Sequence, residues 1–485
     1  ARRGEEFEAL IARTHNAGMK VIIDIVPNHV ARKYEELNSQ EGVQSLGEYD
    51  DQSVTYKVNN NFYYNPGESF RVPQWREGYK PLGGENHPLA DGKFDENPAK
   101  WTGNGSRESQ PDMNDWYETV KINYGVTPDG KNEFPELPSG FENKAYEAHF
   151  DFWKDKTVPD SWNKFRDITL YWIEKGVDGF RFDMAEMVPV EFWSYLNSAI
   201  KMKNPDAFLL AEVYQPHLYR DYIKKGKMDY LYDKVQLYDT IKNVMQGRGS
   251  TDNIPQIQED LKDIEHHMLH FLENHDEQRI ASPEFAGSAA KGKPAMVVSA
   301  TISTSPTLVY FGQEVGEPGA EDAGFGKPSR TSIFDYIGVP AHQRWMNNKN
   351  FDGGQSTAEE KELRDFYKRL LNFTIKSPAL MGEYRDLHSY NRENTSNYSD
   401  KVLVYARWSE EERLIVISNF DAEEVQEFEL TIPEDLIKNF DLKDGSYVLK
   451  DQLYNDYSTQ LIVKNGLGKM QVKLEPLQSF ILKLN

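Results

Sequence analysis

Residues 177–187 read VDGFRFDMAEM. Gly176 breaks the chain just before them, and the run 177–182 is too short for a helix. With only Asp178 and Arg181 interrupting its apolar character, it reads as a buried strand. A helical pattern at 162–175 precedes it and another begins at 190. A buried strand set between two helices is the repeating unit of a parallel sheet. Its exit carries Arg181 and Asp183, and the exits of such strands are where this architecture places its chemistry.

The rhythm continues in both directions. Upstream, 5–16 reads as helix and 20–26 as strand. Downstream come helix 190–201, strands 208–211 and 228–237, helix 254–264, strand 268–272, helix 286–301 despite Gly287 and Gly292, strand 307–311 and a last helix at 357–373. Six strands in this style favour an α/β fold closed as a (β/α)8 TIM barrel over an open doubly wound sheet, although periodicity excludes neither. Two strands of eight are unaccounted for. Ala1 is not a Met and helix 5–16 starts abruptly, so the N-terminal part of the barrel is expected to be missing.

The helix and strand alternation stops across 31–158, a stretch rich in Asn, Gly, Pro, Tyr and Trp. It is too long for a connection and reads as an irregular inserted domain. From 378 the pattern becomes alternating strands (401–407, 413–419, 427–432, 460–463, 470–474 and 479–484), which predicts an antiparallel β-sandwich. The expected division is therefore a barrel start at 1–30, the insert at 31–158, the rest of the barrel at 159–377 and the sandwich at 378–485.

Composition narrows the function. The 78 acidic residues outnumber 56 basic ones, and the net charge of −22 opposes binding to a phosphate backbone or anionic lipid and favours a neutral ligand. Cysteine is absent, which removes disulfides, thiolate nucleophiles and Cys-ligated metals. No run approaches the ~18 apolar residues of a membrane span, and the polar first ten residues show no signal peptide. The compartment stays undecided between cytoplasm and export.

Polar residues recur at four strand exits: Asp24, Asn28 and His29 in DIVPNH, Arg181 and Asp183 in GFRFD, Glu212 in AEV, and Asn274, His275 and Asp276 in ENHD. Singly, each could cap a helix or form an ion pair. Together they are costly to bury unless function retains them. Cleaving a glycosidic bond with retention needs one carboxylate to attack the anomeric carbon and a protonated one about 5–5.5 Å away to protonate the leaving oxygen. Arg181, two residues before Asp183, points to the same side of the strand and would keep it ionised.

In order and spacing these segments resemble the sequence signatures of the α-amylase superfamily, glycoside hydrolase family 13. SPTLVYFGQE at 305–314 and QPDMN at 110–114 resemble two more of them. The resemblance implies the catalytic barrel with an inserted domain and a terminal sandwich. It implies Asp183 as nucleophile, Glu212 as general acid/base and Asp276 as the third, transition-state-stabilising carboxylate. It also implies His29, Arg181, His275 and Glu186 around the substrate. The implied substrates are α-1,4-linked glucans or malto-oligosaccharides, with transglycosylation or non-catalytic glucan binding as alternatives.

Departures bear on the substrate. Ala185–Glu186–Met187 stands where many α-amylases carry Lys-His and looks nearer to neopullulanase or cyclomaltodextrinase, whereas QPDMN leans toward oligo-α-glucosidases. Asn28 matches a position that supplies a calcium ligand in many relatives; a backbone hydrogen bond accounts for an Asn there equally well. The histidines 29, 266, 267 and 275 show no close metal-ligand spacing. Phe62, Tyr63, Tyr64, Trp75, Trp101 and Trp116 are candidates for stacking on sugar rings, with a core role the commoner fate of such aromatics. The loop 317–330, with Phe325 between glycines, is either a rim of the cleft or an ordinary surface loop.

Overall fold

The computed structural model describes residues 2–34, 42–74, 95–319 and 338–484. They form two compact units, one ending at Tyr232 and one running from Asp233.

In the first unit, helix α1 (Arg3–Asn16) buries Ile11 and ends at Gly18, whose left-handed φ of 74° turns the chain toward strand β1 (Ile22–Ile25). β2 (His29–Ala31) and β3 (Thr119–Lys121) follow, pairing antiparallel with His29 opposite Lys121. Helix α2 (Asp160–Glu174) leads through Gly176, also left-handed, into β4 (Gly179–Phe182). Helix α3 (Val190–Lys203) then joins β4 to β5 (Phe208–Ala211), and β6 (Tyr230–Tyr232) closes the series. The four strands β1, β4, β5 and β6 are neighbours in that order and parallel, with Asp24 level with Arg181 and Arg181 level with Leu210. Every residue of β4 is buried, as a parallel strand covered on both faces requires. Gly179 makes the approach of β4 to β5 possible, because a Cβ there would lie 2.0 Å from the Phe208 carbonyl oxygen.

Between β2 and α2 the described residues have little regular structure. Tyr64–Asn65 pairs with Ala99–Lys100, and a short helix spans Tyr146–Trp153. Order comes from a small core of Phe62, Tyr63, Tyr64, Trp101, Val120 and Ile122. Beside it the buried Arg32 binds Glu96 at 2.6 Å and lies 3.9 Å over the ring of Phe70. Four of the aromatics expected as stacking candidates are therefore buried, Tyr63 and Trp101 with a side toward a cleft, Trp116 is half-buried, and Trp75 lies outside the described residues.

The second unit holds β7 (Met268–Phe271) and β8 (Thr307–Leu308), paired in parallel, with helix α4 (Lys293–Thr301) between them. Helix α5 (Ala358–Lys376) starts at a reciprocal cap between Thr357 and Glu360. Beyond it lie β9 (Glu383–Asp386), β10 (Val402–Trp408), β11 (Arg413–Asn419), β12 (Gln426–Ile432), β13 (Gly445–Asp451), β14 (Ser458–Lys464), β15 (Leu467–Leu474) and β16 (Ser479–Leu484). They hydrogen-bond antiparallel in the order β9-β10-β11-β16-β13-β14-β15-β12. Inward residues from both ends of that order, Val404 and Ile415 with Leu430 and Val472, share one apolar core, so the sheet folds over on itself. Buried Arg407 of β10 donates to the carbonyls of Thr301 and Leu380, fastening this β region to the end of α4.

Several predicted boundaries move. The strand expected at 228–237 stops at Tyr232, because the Asp233 carboxylate accepts the Leu237 N–H and winds 234–238 into a helical turn. The helix expected at 286–301 is α-helical only from Lys293: Gly287 is left-handed and Pro294 favours a fresh helix start. The helix expected at 254–264 ends at Asp260, and the strand expected at 307–311 at Leu308.

Candidate active site

Arg181 organises the strand exits of the first unit. Its side chain rises from β4 and is 6% exposed. Nη1 donates to Asp183 at 2.9 Å and to both oxygens of Asp24 at 3.1 and 3.2 Å, while Nη2 donates to Glu212 at 3.0 Å. Burial opposes its charge, but Tyr232, Asp24, Glu212 and Asp183 outweigh burial and hold the guanidinium protonated well above its ordinary value.

The two carboxylates stand one residue beyond their strands and are still fixed by sheet hydrogen bonds. The Asp183 N–H donates to Ile25 and the Glu212 N–H to Phe182. Glu212 Oε2 also accepts the N–H of Met184 at 2.9 Å, a residue with φ of 45°. That left-handed kink turns the backbone after Asp183 toward Glu212, a conformation an unbranched Met adopts only under local constraint.

Glu186 serves the same region. Its Oε2 accepts the N–H groups of Tyr214 and Gln215 at 2.9 and 3.0 Å, so the turn after Asp183 grips the turn after Glu212. The expected sugar-contacting side chain thus has a positioning task as well. Losing an acceptor of two backbone donors costs about 1–3 kcal/mol. Glu186→Ala is expected to lower both the melting temperature and kcat, the latter about tenfold, with Glu186→Gln intermediate because it keeps an oxygen. Thermal unfolding and oligosaccharide kinetics of the three proteins check this; equal kcat values would exclude the role.

His29 lies against Trp116, ring centroids 5.3 Å apart. Burial lowers its pKa, Asp183 opposes that, and Lys121 adds to it, which favours a neutral ring. Asn28, beside it, donates from Nδ2 to the Gly103 carbonyl at 2.9 Å, and its Oδ1 accepts from the ammonium of Lys121. Gly103 has no room for a side chain, since a Cβ would meet His29 and Thr119.

In the second unit, Asn274 Oδ1 accepts the N–H groups of Asp276 and Glu277 and so shapes the turn that presents His275 and Asp276, whose side chains lie 3.2 Å apart. Beneath the turn, fully buried Glu273 binds Arg279 at 2.8 Å and accepts the Ile280 N–H. Burial raises the Glu273 pKa and Arg279 counters it. Nothing in the sequence announces this brace, because in FLENHDEQR Glu273 and Arg279 stand among other polar residues at the end of an apolar run. Glu317, at the start of the predicted rim loop, is buried and accepts the N–H groups of Ala341 and His342; residues 320–330 with Phe325 lie outside the described residues.

An Asp and a Glu are thus gripped by one arginine at the exits of neighbouring parallel strands. Residues 3–369 match the catalytic domain of alpha amylase, and the chain belongs to the alpha-amylase family of glycoside hydrolases, with that family's TIM-barrel fold and a C-terminal β domain. It is 22% identical over 439 residues to Alpha-amylase 3 of Dictyoglomus thermophilum, covering 86% of this chain and 71% of that one. It is 24% identical over 332 residues to the alpha-1,4-glucan:maltose-1-phosphate maltosyltransferase of Cereibacter sphaeroides, covering 68% of this chain but only 44% of that protein. Among solved structures, the alpha-amylase of Geobacillus thermoleovorans in complex with acarbose shares the fold, with a TM-score of 0.60, 18% identity and coverage of 99% of this chain and 81% of that one. Among the described residues no helix is long and apolar enough to cross a membrane.

Proposed function

We propose that the chain cleaves α-1,4-glucosidic bonds of malto-oligosaccharides or starch-like glucans with retention, through a covalent glycosyl-enzyme. The observation that carries this reading is the shared guanidinium. Asp183 and Glu212 are bound to the two Nη atoms of one arginine and so stand side by side, and double displacement uses a pair of neighbouring carboxyls, about 5–5.5 Å apart.

Asp183, oriented by Arg181, attacks the anomeric carbon while Glu212 protonates the departing glycosidic oxygen as that bond breaks. Glu212 Oε2 already takes two N–H donors, so the proton belongs on Oε1. Glu212 then deprotonates a water, which displaces Asp183, and two inversions restore the α configuration. Asp276 is assigned as third carboxylate and His275 as a substrate contact by their sequence signature; His29 contacts the substrate through its neutral ring.

Transfer to a sugar hydroxyl or to phosphate uses the same residues, and the relatives include both an amylase and a maltosyltransferase. Maltotriose followed by proton NMR tests the reading. An α-anomeric product appearing first is expected, and a β-anomer first would refute retention. Glucose and maltose mark hydrolysis, whereas longer oligomers mark transfer. Starch binding without any cleavage would revive a non-catalytic role.

A further inference from the structure

Lys121 ends β3, opposite His29, and its ammonium turns inward to two oxygens: Asn28 Oδ1 and the Met187 carbonyl, the latter at 3.3 Å. One charge thereby joins three separate segments: the residues after β1 that present His29, the insert strand β3, and the turn that follows Asp183. The Asn28 amide completes the joint, donating to Gly103 and lying 3.2 Å from His29 Nδ1.

Asn28 is the position where family resemblance implies a calcium ligand, and these surroundings do not fit one. Calcium takes six to eight oxygens and draws on carboxylates. Here the side-chain oxygen faces a positive charge that would repel a divalent cation, and among the described residues no group of three or more His, Asp and Glu side chains is arranged to hold a metal.

We infer that Lys121 is a tethered cation that braces the Asn28–His29 segment against the turn after Asp183, in place of a bound divalent ion. The ammonium is hydrogen-bonded to an oxygen of each of the two segments it braces.

Lys121 is a positioning residue, and only the kinetic part of its test rests on the proposed glycosidase activity. Lys121, Glu186 and Met187 line a cleft of about 370 Å³ with Tyr63, Trp101 and Arg107. Calorimetric titration of the unaltered protein with calcium, and its melting with and without EDTA, are expected to show no one-to-one binding and no shift. One bound calcium that disappears in Asn28→Leu would overturn the inference, whether or not the protein cleaves glucans. Lys121→Met and Asn28→Leu are each expected to lower the melting temperature and to reduce kcat about tenfold, and the double variant to lose no more than either single one. Additive losses, or a Lys121→Met protein with unchanged melting and kcat, would also overturn it. If Lys121→Met does not fold, the calcium titration of the unaltered protein still decides.

Discussion

Asp183→Asn is expected to reduce turnover of maltotriose by roughly 10⁴-fold or more while binding is retained, because the amide cannot form the covalent bond to the anomeric carbon. The substitution is nearly isosteric, and its carbonyl oxygen still accepts from Arg181 Nη1, so the 2.9 Å contact that orients it survives. Glu212→Gln is expected to separate the two steps. It removes the proton needed by a sugar leaving group, yet a substrate such as α-glucosyl fluoride, whose leaving group needs little protonation, should still load Asp183. The intermediate then accumulates for want of a base to activate water, and intact-protein mass spectrometry should detect one added glucosyl unit in Glu212→Gln and none in Asp183→Asn. Adduct on the Asn variant, or full activity in either protein, would refute the assignment of roles.

The legible part of the site is the part written within single strands. Arg181 and Asp183 are two residues apart on β4, so their common side follows from strand geometry, and Glu212 follows β5 directly. Lys121 shows the opposite case. It lies in an insert without periodicity, and its partner Asn28 is 93 residues away, so nothing local signals the contact. The Glu273–Arg279 brace was hidden because ion pairs seen in sequence are usually surface pairs, and only burial marks this one.

Fold elements divide along the same line. Strongly apolar β11 and β16 match their predicted bounds, 413–419 and 479–484. β13 is mostly exposed and β9 is four mixed residues, so neither carries the alternation that announces a strand. The β14–β15 hairpin turns on Asn465–Gly466, both left-handed, a two-residue turn that fixes register together with the strict in-and-out alternation of β15.

Arg181→Met is expected to be the most damaging change to the scaffold of the site, because it leaves Asp24, Asp183 and Glu212 facing one another with no cation between them. Removing one partner of a buried charge cluster costs about 3–5 kcal/mol. The deficit depends on pH in a definite direction. Without the guanidinium the folded protein binds protons more tightly than the unfolded chain does, since protonation relieves the repulsion. Folded proteins that hold extra protons lose stability as pH rises, so the gap between Arg181→Met and the unaltered protein should widen from pH 4 to pH 7. Native Arg181, held protonated above its ordinary value, contributes no slope of its own in that window. Activity should fall with the same logic: kcat/KM drops and its acid limb moves to higher pH. Arg181→Lys separates charge from geometry, since an ammonium restores one positive charge but lacks the planar fork that reaches Asp183 and Glu212 from adjacent nitrogens. Its stability should recover toward that of the unaltered protein and its pH gap should shrink, while kcat stays about 100-fold low because the two carboxylates are no longer held in register. Urea unfolding at pH 4 and pH 7, with rate profiles for the three proteins, measures both effects. A Lys variant with normal kcat would show that the charge alone is sufficient and that the fork has no part in placing the two acids.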